Sequence, residues 1–458
     1  MKLNKIYTLL LCAIIGFSSC EEFVTVEVPD SQLSGELVFE DVRTAEAVLV
    51  SIYTKMHNGV LVSGDANGLS VLLGNYTDEL TCYATNLPEL AFYQNDVLAT
   101  NPTVLSLWRN TYNLIYAANT VIEGVENSES LEQADRDRLK GEALFVRAYL
   151  HFYLNQLFGE IPYIINTDYR VNTTIEKQTN ATIIALLEAD LLTAESLLTD
   201  NYIGQHRVRP NKGAVLALQA RLYLYSEQWE KAKVKASAVI NNTAFYILMT
   251  DLNAVFLRTS SGTIWQLMAA PEGKNTLDAK SFIFTSVPPP SRALNETLVS
   301  TFEPSDLRKT NWVKAVTNGT NTFHHAFKYK LNNDTSTSME YSILFRLEEM
   351  YLIRAEANAE LNLLDLSATD LNSIRNRAGL EDTNALTKDE LLSAILDERK
   401  LEFFTELGHR FFDLKRTGLL NSVLSGVKPN WNFTDRLLPL PENELLLNPN
   451  LLPQNEGY

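Results

Sequence analysis

The sequence predicts a mainly α-helical chain in which tetratricopeptide-like helix pairs form a scaffold, with loop-rich irregular insertions and a few short strands. The clearest pair is 213–240, GAVLALQARLYLYSEQWEKAKVKASAVI, where Ala217 and Ala220 permit a close helix crossing, Trp229 marks the turn and Ala232 and Ala236 face back. Residues 347–380, LEEMYLIRAEANAELNLLDLSATDLNSIRNRAGL, repeat the idea. Between Arg258 and Tyr341 helical periodicity fades, and Gly262, Pro271, Gly273, Pro288-Pro289-Pro290 and Asn-Thr clusters take over.

Taken in order, Ala45, Val48, Leu49, Ile52, Tyr53 and Met56 form a first helical stripe. Leu105, Trp108, Tyr112, Ile115, Tyr116 and Val121 form a second, broken at polar Asn119. Residues 141–164 read as a long apolar helix ended by Gly159 and Pro162, and Ile183 to Leu198 as the next. With the two hairpins these make about four loose pairs, too divergent for a regular solenoid. Trp265, in TIWQLM, alternates as a short strand would. Trp108 and Trp229 sit on helical stripes as packing residues. Thr387 and Glu390 are spaced as a capping box ahead of a stripe of Leu391, Leu392, Ile395 and Leu396, which Phe403 and Leu407 extend. Arg399 falls on that stripe, with Glu402 and Glu406 one or two turns away, so a structural ion-pair knot is expected. Gly408 suits a helix C-cap, and His409 to Arg416 a further helical turn stopped by Gly418. The irregular stretches 58–103, 258–341 and 426–458 are left as the places for function, presented by the rigid helices.

At the N-terminus, Lys2 and Lys5 precede an essentially apolar stretch from Ile6 to Phe17 and the small pair Ser18-Ser19, the pattern of a secretory leader at 1–19. Phe17-Ser18-Ser19-Cys20 resembles a bacterial lipobox, which makes Cys20 a lipidation site whose acyl chains anchor the protein to a membrane through a tether at 20–36. No later run is apolar enough to span a bilayer. With Cys12 in the leader and Cys20 acylated, Cys82 is the one remaining thiol, so an internal disulfide and a Cys-based metal site are both excluded. The formal net charge is −17, and losing Lys2 and Lys5 with the leader takes it to −19. Such a surface lacks the basic footprint nucleic acid requires.

Catalysis finds no motif: the 6 His form neither HExxH nor another metal spacing, GxSxG is absent, and no metal or cofactor is expected. Gly59, Gly64, Gly68 and Gly74 lack the Lys-Ser/Thr of a phosphate loop and read as turns. Carboxylate pairs such as Asp78-Glu79 leave a glycosidase dyad open, because separation in space cannot be read from sequence. Binding is better supported. The irregular segments carry Tyr76, Tyr83, Phe92, Tyr93, Trp312, Phe323, Tyr329 and Trp431, and exposed aromatic faces stack on the apolar faces of sugar rings. Trp312, which follows the polar run EPSDLRKTN, is the leading candidate, with Tyr83, Tyr93, Tyr76 and Trp431 behind it.

The segment ERKLEFFTELGHRFFDLKRTG at 398–418 resembles the C-terminal hallmark of the SusD/RagB family of outer-membrane nutrient-binding lipoproteins. The likeness extends through VFEDVRTAEAVLVSIY, SLWRNTYNLIYAANTVIEGV, EALFVRAYLHFYLNQLFGEIPYI, LEEMYLIRAEANAELN and IRNRAGL to the ending LLPLPENELLLNPNLLPQNEGY. It implies one SusD-like domain over 37–458 that captures a nutrient, an oligosaccharide or a peptide, without chemistry. It further implies a lid over a SusC-type TonB-dependent transporter, lipid-anchored in the outer membrane; Glu21-Glu22 after the cysteine fit display on the cell exterior. The motif residues Arg354, Glu356, Glu398, Arg399, Glu402, Gly408, His409 and Arg410 carry over as structural positions only. The short 258–341 segment hints at a small ligand. A surface-anchored glycan hydrolase and a helical-repeat assembly scaffold without small ligand stay open as alternatives.

Overall fold

The computed structural model describes residues 37–85 and 87–458; the leader 1–19, Cys20 and the tether 20–36 lie outside the described residues. Among the described residues the long helices are α1 (Val42–Gly59), α2 (Pro102–Asn127), α3 (Gln133–Phe158), α4 (Asn180–Leu197), α5 (Lys212–Tyr225), α6 (Trp229–Ile240), α7 (Leu347–Glu360), α8 (Leu364–Arg377) and α9 (Lys388–Glu402). Their starts are written in the sequence. Asp41, Asn101, Thr179 and Asn211 each accept a backbone N–H at the helix entrance, Pro102 occupies the first turn of α2, and Thr387 and Glu390 close the capping box of α9. From α2 to α8 each long helix packs on its neighbour in the chain, and α9 packs on α7 and α8. That is the expected helix-pair scaffold. Ala217, Ala220, Ala232 and Ala236 are fully buried at the α5–α6 crossing. Buried Arg221 of α5 ties three helices together, donating to both Glu349 oxygens on α7 at 2.6 and 2.7 Å and to the Tyr153 hydroxyl on α3 at 2.7 Å.

Among the described residues six short strands pair antiparallel in twos: β1 (Leu80–Cys82) with β3 (Arg292–Leu294), β2 (Thr263–Leu267) with β6 (Ser342–Arg346), and β4 (Val313–Thr317) with β5 (Thr322–Ala326). Trp265 on β2 is fully buried, with Tyr53, Phe145 and Tyr149 edge-on around it at 6.3, 5.0 and 5.1 Å. The stretches without helical periodicity hold elements too short to show it, such as helices Leu69–Tyr76 and Leu87–Gln94 and the tail helix Glu442–Leu447. Gly74 is inside the first of these helices rather than in a turn, and a Cβ there would meet Leu80 Cδ1 at 2.8 Å. A second core lies largely within the loop-rich 252–343 region, built from Leu80, Phe256, Phe282, Leu294, Phe302 and Trp312 among others.

The C-terminal hallmark is an ion-pair knot, wired differently from the helical-offset expectation. Arg399 pairs with Asp413 at 2.8 Å and not with Glu402 or Glu406. Glu402 instead accepts from Arg346 and Arg377 at 2.5 Å and from Arg308 at 3.1 Å, and Glu398 accepts from Arg308 at 2.6 Å. The other hallmark positions are similarly tied: Arg354 to Asp370 at 2.7 Å, Glu356 to Arg416 at 2.8 Å, Arg410 to Asp78 at 2.8 Å. His409 stacks on Phe403 at 4.7 Å, and burial, with Arg221 and Arg399 nearby, holds its pKa well below the ordinary value. Gly408 does not cap α9, which ends at Glu402; it opens the helix His409–Arg416 at φ 73°, where a Cβ would lie 2.3 Å from Leu73 Cδ1. Left-handed backbone and this contact both penalise a side chain. Gly408→Ala is therefore expected to cost about 2–4 kcal/mol, read as a lowered urea midpoint. An unchanged midpoint would contradict the assignment.

Candidate functional site

The candidate site forms where β1 and β3 bring two distant irregular segments together. Leu80 pairs with Leu294, Thr81 with Ala293 and Cys82 with Arg292, and the Tyr83 and Ala84 amides continue onto the Ser291 carbonyl at 2.6 and 2.9 Å. This pairing carries Tyr83 to the end of the strand, where it is 37 % exposed. The β4–β5 hairpin, turned at Asn318-Gly319 with Gly319 at φ 89°, packs beside β3 and presents Phe323 edge-on to Tyr83 at 5.5 Å. Half-buried Tyr93, from helix Leu87–Gln94, adds a third ring with Lys428 Nζ 4.0 Å from its centre. Lys428 donates to the Asn75 and Tyr93 carbonyls at 2.6 and 3.1 Å, and burial draws its pKa down to about 8.

The floor and rim are polar. Arg292 of β3 reaches Glu89 at 2.7 and 2.9 Å, and Asn75 donates to the same carboxylate at 3.1 Å, which fixes the helix bearing Tyr93 against β3. At the rim, His324 Nδ1 meets Glu296 Oε1 at 2.9 Å. Desolvation, then the neighbouring Tyr93 and Glu296, push the Tyr83 hydroxyl above its ordinary value, so it stays a neutral donor at physiological pH. The result is an aromatic patch ringed by a hydroxyl, an imidazole and a carboxylate, suited to a ligand with apolar faces and hydroxyl edges.

The aromatic candidates separate cleanly on this structure. Tyr83 and Tyr93 come together with Phe323, but Trp312, Tyr76 and Trp431 are buried, which corrects their expected role as exposed platforms. Trp312 has no exposed surface and donates from Nε1 to the Leu252 carbonyl at 3.0 Å. The polar run ahead of it does not mark a surface: Asp306 and Arg308 turn inward and pair at 2.8 Å. Tyr76 closes its helix facing the core, in edge contact with Phe92, Phe411 and Trp431. Phe92 and Tyr329 are buried too. What the sequence reading missed is the rim pair Glu296–His324 and the Lys428 contact, whose members lie 28 and 335 residues apart. No local pattern encodes such separations.

The Asp78-Glu79 pair is closed to a substrate. Asp78 is held between Arg410 and Lys400, at 2.8 and 3.5 Å. Glu79 is buried, accepts the Thr405 amide at 3.2 Å, and is pushed up to about 7 by desolvation and by Asp78. No helix among the described residues is long and apolar enough to cross a membrane.

Known proteins share this fold. Residues 27–224 match a family described as starch-binding and associating with the outer membrane, and residues 295–458 match the SusD family. A SusD-like protein of Formosa agariphila is 25 % identical, the alignment covering 99 % of this chain and 100 % of the relative. A SusD superfamily structure from Bacteroides vulgatus superposes with a TM-score of 0.81 at 24 % identity, over 91 % of this chain and 99 % of the other. A laminarin-binding SusD-like protein superposes at 0.76 and 21 % identity, over 91 % and 99 %. The helix-pair scaffold, the ion-paired hallmark and these matches over both halves of the sequence place the chain in the SusD/RagB family of outer-membrane-associated carbohydrate-binding proteins.

Proposed function

We propose that this protein is a cell-surface receptor that captures an oligosaccharide on the Tyr83–Phe323–Tyr93 patch and delivers it to a SusC-type TonB-dependent transporter. The observation that carries the reading is the exposed Tyr83 ring, braced by Phe323 and bordered by Tyr93 and the Glu296–His324 pair, on the loop-rich side of the molecule. The laminarin-binding SusD-like neighbour supports a glycan over a peptide as ligand. Lipidation at Cys20 and a tether at 20–36 would hold the body 37–458 at the outer face of the outer membrane. The protein itself performs no chemistry on the ligand. A hydrolase reading is disfavoured by the ion-paired, buried state of Asp78 and Glu79.

Tyr83→Ala tests the reading. Removing one stacking ring should weaken oligosaccharide binding at this patch about tenfold. Its partial exposure keeps the stability change within about 1 kcal/mol. Calorimetric titration beside a urea melt separates the two effects. Unchanged affinity for a sugar that the wild type binds would remove the patch from the account.

A further inference from the structure

A groove of about 630 Å³ lies on elements that share no residue with the Tyr83 patch: the first half of α2, the loop 162–175 and the tail around Glu442–Leu447. Its volume falls in the range of small-ligand sites, about 300–1,000 Å³. Tyr116 and Tyr169 stand 50 % and 72 % exposed along it. Tyr112 is fixed between them and the core, its hydroxyl donating to the Pro162 carbonyl at 2.8 Å and its ring against Trp108 at 4.9 Å. The charged side chains lining the groove are Arg109 and Glu444, which neutralise each other at 2.6 Å and bind α2 to the tail.

We propose that this groove is a second binding site, for a short neutral oligosaccharide. The inference rests on the reading of the protein as a glycan receptor and adds a site to it. Two exposed tyrosine faces supply apolar stacking surface. Asn113 and Thr173, both exposed on the groove's lining, supply polar edge groups. A sugar's hydroxyls would pair with these groups, whereas a purely apolar occupant would displace their water without replacing its hydrogen bonds. An anionic sugar would gain nothing from an arginine already closed on a carboxylate, in a chain of net charge −17.

The test is calorimetric titration of the mature chain with neutral laminari-, malto- and xylo-oligosaccharides, for wild type, Tyr83→Ala and the double variant Tyr116→Ala/Tyr169→Ala. Both groove tyrosines are exposed, so the double variant retains its fold, checked by an unchanged melt. The expected result is two binding components, one weakened tenfold or more in the groove variant alone and the other in Tyr83→Ala alone. Loss of all binding in the groove variant, with Tyr83→Ala unaffected, would also support the groove while overturning the Tyr83 site. Binding in the groove variant identical to wild type would overturn the groove and leave the receptor reading standing. Absence of binding by the wild type to every sugar would overturn both. A groove variant that keeps its sugar binding but no longer co-purifies with the transporter would assign the groove to a protein contact and overturn the proposal.

Discussion

Replacing Glu402 with glutamine is expected to destabilise the protein by about 3–5 kcal/mol, the cost of breaking a buried ion pair by removing one partner. Glu402 is fully buried and is the shared acceptor of Arg308, Arg346 and Arg377. These arginines come from the segment before Trp312, from β6 and from α8, so the carboxylate joins the loop-rich side to the helix scaffold. Glutamine preserves the shape and removes the charge, leaving converging guanidinium groups short of one counter-ion. A chemical melt measures it, and a wild-type midpoint for Glu402→Gln would show that the knot contributes no net stability.

The same residue sets an acid limb. Burial alone would push the Glu402 carboxyl up, but Arg377, Arg346 and Arg308 outweigh it and hold it well below its ordinary value of 4.5. For a depressed carboxylate the stabilisation is present above the unfolded value and is lost as pH falls through the folded one. Stability of the wild type should therefore fall steeply below about pH 4.5, and the glutamine variant, already weakened at neutral pH, should show a shallower acid limb.

Trp312→Ala should cost a comparable amount, about 3–5 kcal/mol, as a large aromatic deleted from a core. The indole is fully enclosed, edge-on to Phe256 at 5.4 Å, with Lys328, Arg377 and Arg346 within 5.2, 5.7 and 6.0 Å of its ring. Alanine empties this volume and leaves the Leu252 carbonyl without its donor. Urea unfolding reads the effect, and Trp312→Phe, which keeps most of the volume, should lose distinctly less. A Trp312→Ala protein of wild-type stability that had lost sugar binding would contradict the structural assignment and return Trp312 to the ligand site.

Local signals were legible in this chain, and long-range pairings were not. The capping box at Thr387, the small-residue crossing of 213–240 and the strand at Trp265 each depend on residues within a few positions of one another, and each is found where it was expected. Trp312 was misplaced for a physical reason. Its polar approach, Asp306 and Arg308, looked solvated in sequence but is buried, because Glu398 and Glu402 arrive from about 90 residues away to pair with Arg308. Arg399 shows the same limit on a smaller scale. Helical spacing offered Glu402 and Glu406, yet the turn at Gly408 folds Asp413 back onto it. Tyr83 and Tyr76 were indistinguishable as aromatics in an irregular segment; one ends a strand at the surface and the other closes a helix facing the core.

The most direct test of the account is titration of wild type and Tyr83→Ala with neutral oligosaccharides, laminarin fragments included, with melting curves recorded on the same samples. The account predicts that the wild type binds at least one sugar and that Tyr83→Ala loses about tenfold in one binding component while melting as the wild type does. Full wild-type affinity in Tyr83→Ala, or no sugar binding by the wild type at all, would contradict it.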